Sequence, residues 1–208
     1  MALNKNAFYG LIAACVVMGA TSPTATAADV VRFMETRGAT SAPVGFIQFC
    51  RLNMPDCVGT STTPPKVVLT PAKWSELVSI NTEINNRIEP VTDLENYGVP
   101  EWWSYPDNGR GDCEDYQLLK RKMLMERGWP AGALLMTVVR DQNNEGHAVL
   151  TVRTDRGDLI LDNENSQILI WSQTPYRFVK RQMPTDVSHW EGIEDHRTDM
   201  VASTTSRQ

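Results

Sequence analysis

The chain has 208 residues, 41% of them hydrophobic, and a formal net charge of −5. That length suits a single domain with a proper core. The acidic balance, with no basic run to offset it, excludes a nucleic-acid partner.

Lys5 supplies a short positive start, residues 8–20 are apolar or small, and Ala25-Thr26-Ala27 fits a small-x-small cleavage signal. This is the layout of a secretory signal peptide over 1–27, with an apolar core too short to span a bilayer. A membrane anchor or a buried helix is the competing reading of the same stretch. Ile12-Ala13-Ala14-Cys15 is a weak lipoprotein-like signal, because more apolar residues follow Cys15. Cleavage before Ala28 leaves 181 residues carrying −6. The expected organisation is a domain at 28–193 and a polar, disordered tail at 194–208, in a periplasmic or secreted protein. No second long apolar run follows, so no membrane span is expected after cleavage.

In chain order, residues 28–41 read as a loose leader and 43–59 as a loop holding Cys50 and Cys57. An oxidising compartment favours pairing these two, which leaves Cys113 as the odd thiol of the mature chain. Residues 60–65 form a polar link. Thr70-Pro71 is a hydroxyl cap followed by proline at the first helical position. Trp74, Leu77, Val78, Ile80, Ile84 and Ile88 then recur at helical spacing, which predicts a helix over 71–88. Residues 89–111 are irregular and carry Trp102, Trp103 and Tyr105. These aromatics are either a wall of a substrate groove or simple packing of the loop. A second helix is expected over 112–127, stopped by Gly128 and Pro130. Strand signals follow at 133–139, 147–154, 158–162, 168–171 and 176–179. Helices first and antiparallel strands after predict an α+β domain.

The chemistry concentrates around Gly109-Arg110-Gly111-Asp112-Cys113-Glu114-Asp115. Two glycines bring the chain in without bulk, and Asp112 as a cap puts Cys113 in the first helical turn. Free amide hydrogens and the positive end of the helix dipole favour a thiolate there and can hold an oxyanion. The structural alternative is a buried, inert thiol. A thiol nucleophile needs a base, and the base needs an orienting group. Of three histidines, His189 and His196 lie close to or within the polar tail, whereas His147 opens a strand and Asp162 ends the next. With Arg156-Gly157 as a two-residue loop, Asp162 faces Thr151 and shares a face with His147. A three-residue loop without a bulge separates them. The pattern permits Cys113, His147 and Asp162 as nucleophile, base and orienting residue without fixing the contact.

Gly-Asp-Cys-Glu-Asp-Tyr, Gly-His-Ala-Val-Leu-Thr-Val and Asp-Leu-Ile-Leu-Asp-Asn together resemble the bacterial transglutaminase-like cysteine peptidases, as does 78–85 followed by Asp93 and Tyr97-Gly98. The resemblance covers roughly residues 70–193. It implies a papain- and transglutaminase-related core, with Cys113, His147 and Asp162 as the triad. It also implies a protein or peptide substrate, such as a surface adhesin, and a membrane-bound regulatory protein as partner. Some members bind calcium through acidic residues beside the nucleophile, positions that Asp112, Glu114 and Asp115 match. Calcium needs several oxygen ligands, so loop carbonyls or water must supply the rest; carboxylates that merely suit a helix N-terminus are the alternative. Bare carboxylates also raise the pKa of a neighbouring thiol, a tension that a cation relieves. The Cys50–Cys57 pair lies outside the family's catalytic pattern and suggests a separate branch. The same three residues also serve an acyltransferase such as a transglutaminase, and the fold alone serves a non-catalytic binding module.

Overall fold

The first strand arises where the sequence carries no strand signal. In the computed structural model, whose described residues are Met1, 30–59, 61 and 63–197, strand β1 spans Glu35–Thr40 with every residue exposed. The sequence reading makes this stretch a loose leader, because an edge strand with no buried face shows no alternation. The signal peptide expected at 1–27, apart from Met1, lies outside the described residues, as do residues 198–208. Helix α1 (Val44–Leu52) and a 3-10 turn (Met54–Cys57) occupy the segment expected to be a loop. Cys50 and Cys57 are joined there by a disulfide.

Helix α2 (Pro71–Arg87) begins as its chemistry predicts. Thr70 Oγ1 accepts the Lys73 N–H at 3.2 Å, and Pro71 fills the first helical position. Leu77, Ile80 and Ile84 are fully buried, whereas Trp74 and Val78 of the same periodic pattern stay 40% exposed. The chain then forms β2 (Glu89–Pro90), the short helix α3 (Asp93–Tyr97) and β3 (Arg110–Gly111). β2 and β3 pair in parallel, Glu89 opposite Arg110 and Pro90 opposite Gly111. That pairing draws the end of α2 and the start of α3 against helix α4 (Cys113–Glu126).

Strands β4 (Leu134–Arg140), β5 (Gly146–Thr154), β6 (Gly157–Leu161), β7 (Leu169–Ile170), β8 (Arg177–Met183) and β9 (Asp186–Glu194) complete the α+β domain. With β1 they form one antiparallel sheet in the order β1-β9-β8-β4-β5-β6-β7. Helix α4 packs on β4 and β5, and α2 packs on α4. Leu118, Leu124, Leu134, Met136, Leu150, Leu161 and Trp190 belong to the main core. Met34, Val139, Val149, Ile160, Trp171 and Phe178 form a second cluster. Alternate residues of β5 and β6 thus feed different clusters, so both faces of these strands are covered, and their burial is nearly unbroken.

The β5–β6 hairpin turns one residue earlier than expected. Thr154 pairs with Gly157, so Asp155-Arg156 is the loop and Thr151 faces Ile160. Gly157 takes φ 141°, a conformation that favours glycine. The shift keeps the parity, and Asp162 continues the Ile160 face that His147 shares. At the far end β8 and β9 run longer than the single short strand expected, and order extends past residue 194. Arg197 Nη2 donates to Tyr176 O at 2.6 Å and to Asp195 Oδ2 at 2.6 Å. Half-buried arginine contacts of this kind are invisible in a segment that reads only as polar.

The irregular stretch before α4 is packed rather than loose. Trp103 is buried edge-on against Phe46 (5.9 Å) and Trp190 (6.5 Å). Tyr105 stacks edge-on against Phe49 at 5.3 Å and donates to Asp56 Oδ2 at 2.9 Å. The disulfide ties the helix that holds Phe49 to the turn that holds Asp56, so it braces this stretch from behind. Alkylation of unreduced protein followed by mass mapping should label Cys113 alone; a labelled Cys50 would remove the bridge from this account. Replacing both bridged cysteines by serine should lower stability by about 2 kcal/mol, read as a lower urea midpoint.

Candidate active site

Helix α4 begins where β3 ends, with Asp112 at the capping position. The Asp112 side chain makes no cap hydrogen bond. It turns instead to the start of α3, where its Oδ2 accepts the Asp93 N–H at 3.3 Å. Gly111 is required at this crossing: a Cβ there would sit 2.7 Å from Asp115 Oδ2 and 2.8 Å from Asp115 Cβ.

Cys113 is the free cysteine of the described residues, half-buried in the first turn of α4. Its thiol donates to Glu114 Oε2 at 3.2 Å. Burial, followed by the charges of Glu114 and Asp112, pushes the thiol well above its ordinary range, although the Ala148 N–H works the other way. The helix start alone therefore does not generate a thiolate here, because burial and then the flanking carboxylates favour the neutral thiol. The sulfur opens onto a cleft of about 490 Å³ lined among others by Trp103, Glu114, Val138, His147 and Lys180. Trp103 thus serves both readings of its segment, being core on one side and cleft wall on the other.

His147 sits at the start of β5, 6% exposed, with Nε2 2.9 Å from Asp162 Oδ1. That contact leaves Nδ1 as the ring nitrogen available to the cleft; Glu164 Oε1 lies 3.9 Å from it. Asp162 follows directly on β6 and is 2% exposed. Its Oδ2 accepts the Tyr176 hydroxyl at 2.5 Å, and its Oδ1 also accepts the Glu164 N–H at 3.1 Å. Burial alone would raise this carboxyl. The hydrogen bond and charge of His147, with the bonds from Tyr176 and Glu164, outweigh it and hold Asp162 below the usual carboxylate range. The Tyr176 ring lies 5.2 Å from the imidazole, tilted by 50°. His189 and His196 stay on the surface, beside Asp186 and Glu194 respectively.

The acidic residues around Cys113 divide into two groups. Asp93, Asp112 and Asp115 each offer a carboxylate oxygen, and these oxygens lie within 4.8 Å of one another. Each aspartate has one oxygen occupied: Asp93 by the Trp102 N–H, Asp112 by Asp93, and Asp115 by the Ser104 N–H at 2.8 Å. Each keeps a second oxygen, Asp93 Oδ1, Asp112 Oδ1 and Asp115 Oδ2, buried without a partner. Burial and mutual repulsion raise Asp93 to about 6 and Asp115 to about 8, and burial raises Asp112. Glu114, expected beside them, is engaged with the thiol; burial and the Asp112 charge raise it to about 9. Hard, convergent oxygens with unused lone pairs fit a calcium-type cation. Asp93 is absent from the acidic run read in the sequence, being 19 residues before Asp112. Its one local signal is a carboxylate placed directly after a Thr92 cap. Tyr176 was equally hidden, since only the folded sheet brings it to Asp162.

Residues 36–198 match the family model described as bacterial transglutaminase-like cysteine proteinase, BTLCP. Among solved structures, calcium-bound Legionella pneumophila LapG is 27% identical, with a TM-score of 0.47, over 55% of this chain and 66% of that one. EGTA-treated LapG from the same organism is 28% identical, with a TM-score of 0.47, over 55% and 64%. The chain therefore spans just under two thirds of these structures' own length. No curated protein matches.

Tyr176→Phe deletes one of the bonds that hold Asp162 ionised and should cost about 1–2 kcal/mol at neutral pH. In the wild type the folded chain is the stronger acid at Asp162. That stabilisation is complete above the unfolded carboxylate pKa near ~4 and is lost as pH falls through the lower, folded value. The gap in melting temperature between wild type and variant should therefore narrow on acidification from pH 6 to pH 3. A gap independent of pH would show that Tyr176 acts by packing alone.

Proposed function

We propose that this chain, which belongs to the bacterial transglutaminase-like cysteine proteinase family, is an exported cysteine endopeptidase that hydrolyses protein amide bonds through Cys113, His147 and Asp162. The observation that carries this reading is the buried His147–Asp162 pair at 2.9 Å, opening onto the same cleft as the free thiol. His147 Nδ1 takes the thiol proton as Sγ attacks the substrate carbonyl carbon. Free amides in the first turn of α4 receive the developing oxyanion. The imidazolium, stabilised by Asp162, returns the proton to the leaving amine as the C–N bond breaks. Water, deprotonated by His147, then hydrolyses the thioester and restores the thiol. Tyr176 and the Glu164 N–H keep the carboxylate aimed at Nε2.

Asp93, Asp112 and Asp115 would hold calcium, which suits an irregular oxygen set better than magnesium does. When bound, the cation supplies positive charge beside the nucleophile and joins α3 to the first turn of α4. The leader read at residues 1–27 supports action in the periplasm or outside the cell. Among the described residues no helix is long and apolar enough to cross a membrane. The substrate would be a surface or periplasmic protein, with a membrane-bound regulatory protein as partner; both rest on the family resemblance.

His147→Ala should slow iodoacetamide alkylation of Cys113 and peptide turnover by about 100-fold or more, with the circular dichroism spectrum unchanged. A larger effect from His189→Ala or His196→Ala would move the base elsewhere. Amide-linked products in place of hydrolysed peptide would turn the reading to acyl transfer by the same residues. A chelator should lower both activity and melting temperature, and calcium but not magnesium should restore them. At about 100 times its Kd a cation stabilises by about 2.7 kcal/mol. A melting temperature that stays flat from chelated to millimolar calcium would leave the three aspartates as helix-terminal charges.

A further inference from the structure

The row of residues that the sheet register lays beside Cys113 continues well past the cleft. Ala148 of β5 faces Val138 of β4, Val138 faces Lys180 of β8, and Lys180 faces Gly192 of β9. Facing residues share one side of a sheet, so these positions form a line across four strands. Its first three members line the cleft that holds Cys113 and His147. β1 adds a fifth strand beyond Gly192, and there the register slips. Thr36 faces Ile193 and Ala39 faces Glu191, so Arg37 and Gly38 together oppose Gly192. Gly38 takes φ 94°, which suits a bulge, and bulges re-aim side chains. Here the Arg37 side chain is laid over the bare face of Gly192: a Cβ there would sit 2.9 Å from Arg37 Nε and 3.0 Å from its Cγ. Arg37 and Lys180 thus both wall a second depression of about 160 Å³, which adjoins the catalytic cleft through Val179 and Lys180.

The charges along this line are unevenly spent. The carboxylates at the Cys113 end already hold hydrogen bonds. Glu101 accepts the Trp103 indole N–H at 2.7 Å, Asp112 the Asp93 amide and Glu114 the thiol. The cations keep most of their donors. Lys180 Nζ gives one N–H to the Ser41 carbonyl at 2.9 Å, which fixes the ammonium in place and leaves two free. Arg140, on the cleft wall, gives Nη1 to the Asn144 carbonyl at 3.3 Å. Arg37, exposed on β1, meets no hydrogen-bond or ion-pair partner among the described residues. Among those residues Arg37 and Lys180 are the charged side chains of the second depression, and no carboxylate lines it.

We propose that this line is an acid-selective substrate subsite: the segment to be cut lies extended across it and sets an aspartate or glutamate side chain against Lys180 and Arg37. This rests on the peptidase reading above and names the class of segment it selects. Neighbouring strands lie about 4.8 Å apart, which puts Lys180 about 10 Å and Arg37 about 19 Å from Ala148. An extended chain advances about 3.3 Å per residue, so the acidic residue falls about three to six residues from the scissile bond. The carboxylates around Cys113 repel the same side chain nearer that bond, so its position matters as well as its charge.

The test uses the mature chain and peptide electrophiles that alkylate Cys113. Alanine–serine peptides carry a chloromethyl ketone at the C-terminus in one series and a bromoacetyl group at the N-terminus in the other, so they extend from the thiol in opposite directions. A single glutamate, glutamine or lysine is moved along each. In one series, glutamate about three to six residues from the electrophile should label Cys113 about fivefold faster than glutamine, and lysine should label more slowly. Glutamate next to the electrophile should give no gain. Arg37→Glu combined with Lys180→Glu should reverse the order, lysine outrunning glutamate. Should that pair fail to fold, Arg37→Glu alone, on an exposed strand, should erase the preference at the outer positions. A glutamate-to-glutamine ratio near one throughout, the same gain at every position, or a preference that survives charge reversal would overturn the proposal. His147→Ala separates the subsite from the triad, because it should slow every probe and keep the ratio. Wild-type labelling rates in His147→Ala sink the triad reading, while a positional ratio that persists there still supports the subsite. A slow His147→Ala with a wild-type ratio near one sinks the subsite alone.

Discussion

Four carboxyl groups crowd the first turn of α4, and most of the neighbouring structure is arranged around their mutual repulsion. Asp93, Glu114 and Asp115 are buried, and burial together with neighbouring carboxylates lifts each above its ordinary range. Such a cluster is stable only if protonated, hydrogen-bonded or neutralised by a cation. The protein supplies part of the remedy from its own backbone. The amides of Asp93, Trp102 and Ser104 each bind one of these aspartates. The route of the chain from residue 93 to residue 112 is therefore dictated by the need to bring amides to carboxylates. This accounts for its irregularity better than looseness does.

The same constraint ties the cleft to parts of the molecule far from the chemistry. Trp102 and Ser104 give amides to the acidic cluster, while Trp103 between them packs into the core beside Trp190 and Phe46. Tyr105 carries the connection on to Asp56 and so to the disulfide turn. Arg121 of α4 closes the circuit by donating to the Asp56 carbonyl at 2.8 Å. One face of this segment is thus fixed by electrostatics and the other by aromatic packing, which leaves it little freedom to move without disturbing Cys113.

Legibility in the sequence followed the range of the interaction. Helices α2 and α4 were readable because their starts and stops are local: Thr70-Pro71 at one, Gly111-Asp112 and Gly128 at the other. The hairpin of His147 and Asp162 was readable up to its parity. Its register was not, because Asp155-Arg156 and Arg156-Gly157 are both acceptable turns. Strand β1 escaped because an exposed edge has no hydrophobic rhythm, and α1 because its apolar residues lie on both faces, with Val44 and Leu52 each 69% exposed. The place of Asp93 in the acidic cluster, a residue read only as part of the family resemblance, and the contact of Tyr176 escaped for a different reason. Their contacts, with Asp112 and Asp162, exist only once the β2–β3 pairing and the sheet have formed, and no spacing rule encodes either.

The pairing of β1 with β9 sets Glu35 opposite Glu194, so the outer edge of the sheet joins residues 159 positions apart. Closing so long a loop carries an entropic cost that local turns do not, and it delays every contact that depends on it. The β5–β6 hairpin with His147 needs only its own two-residue turn and can form early, whereas the β1 edge must wait until the chain has been made or threaded through to Glu194. A chain still emerging from a ribosome or crossing a membrane therefore carries β1 unpaired until β9 follows it. The fully exposed sequence of β1, which has no large apolar side chain, suits that waiting strand to water.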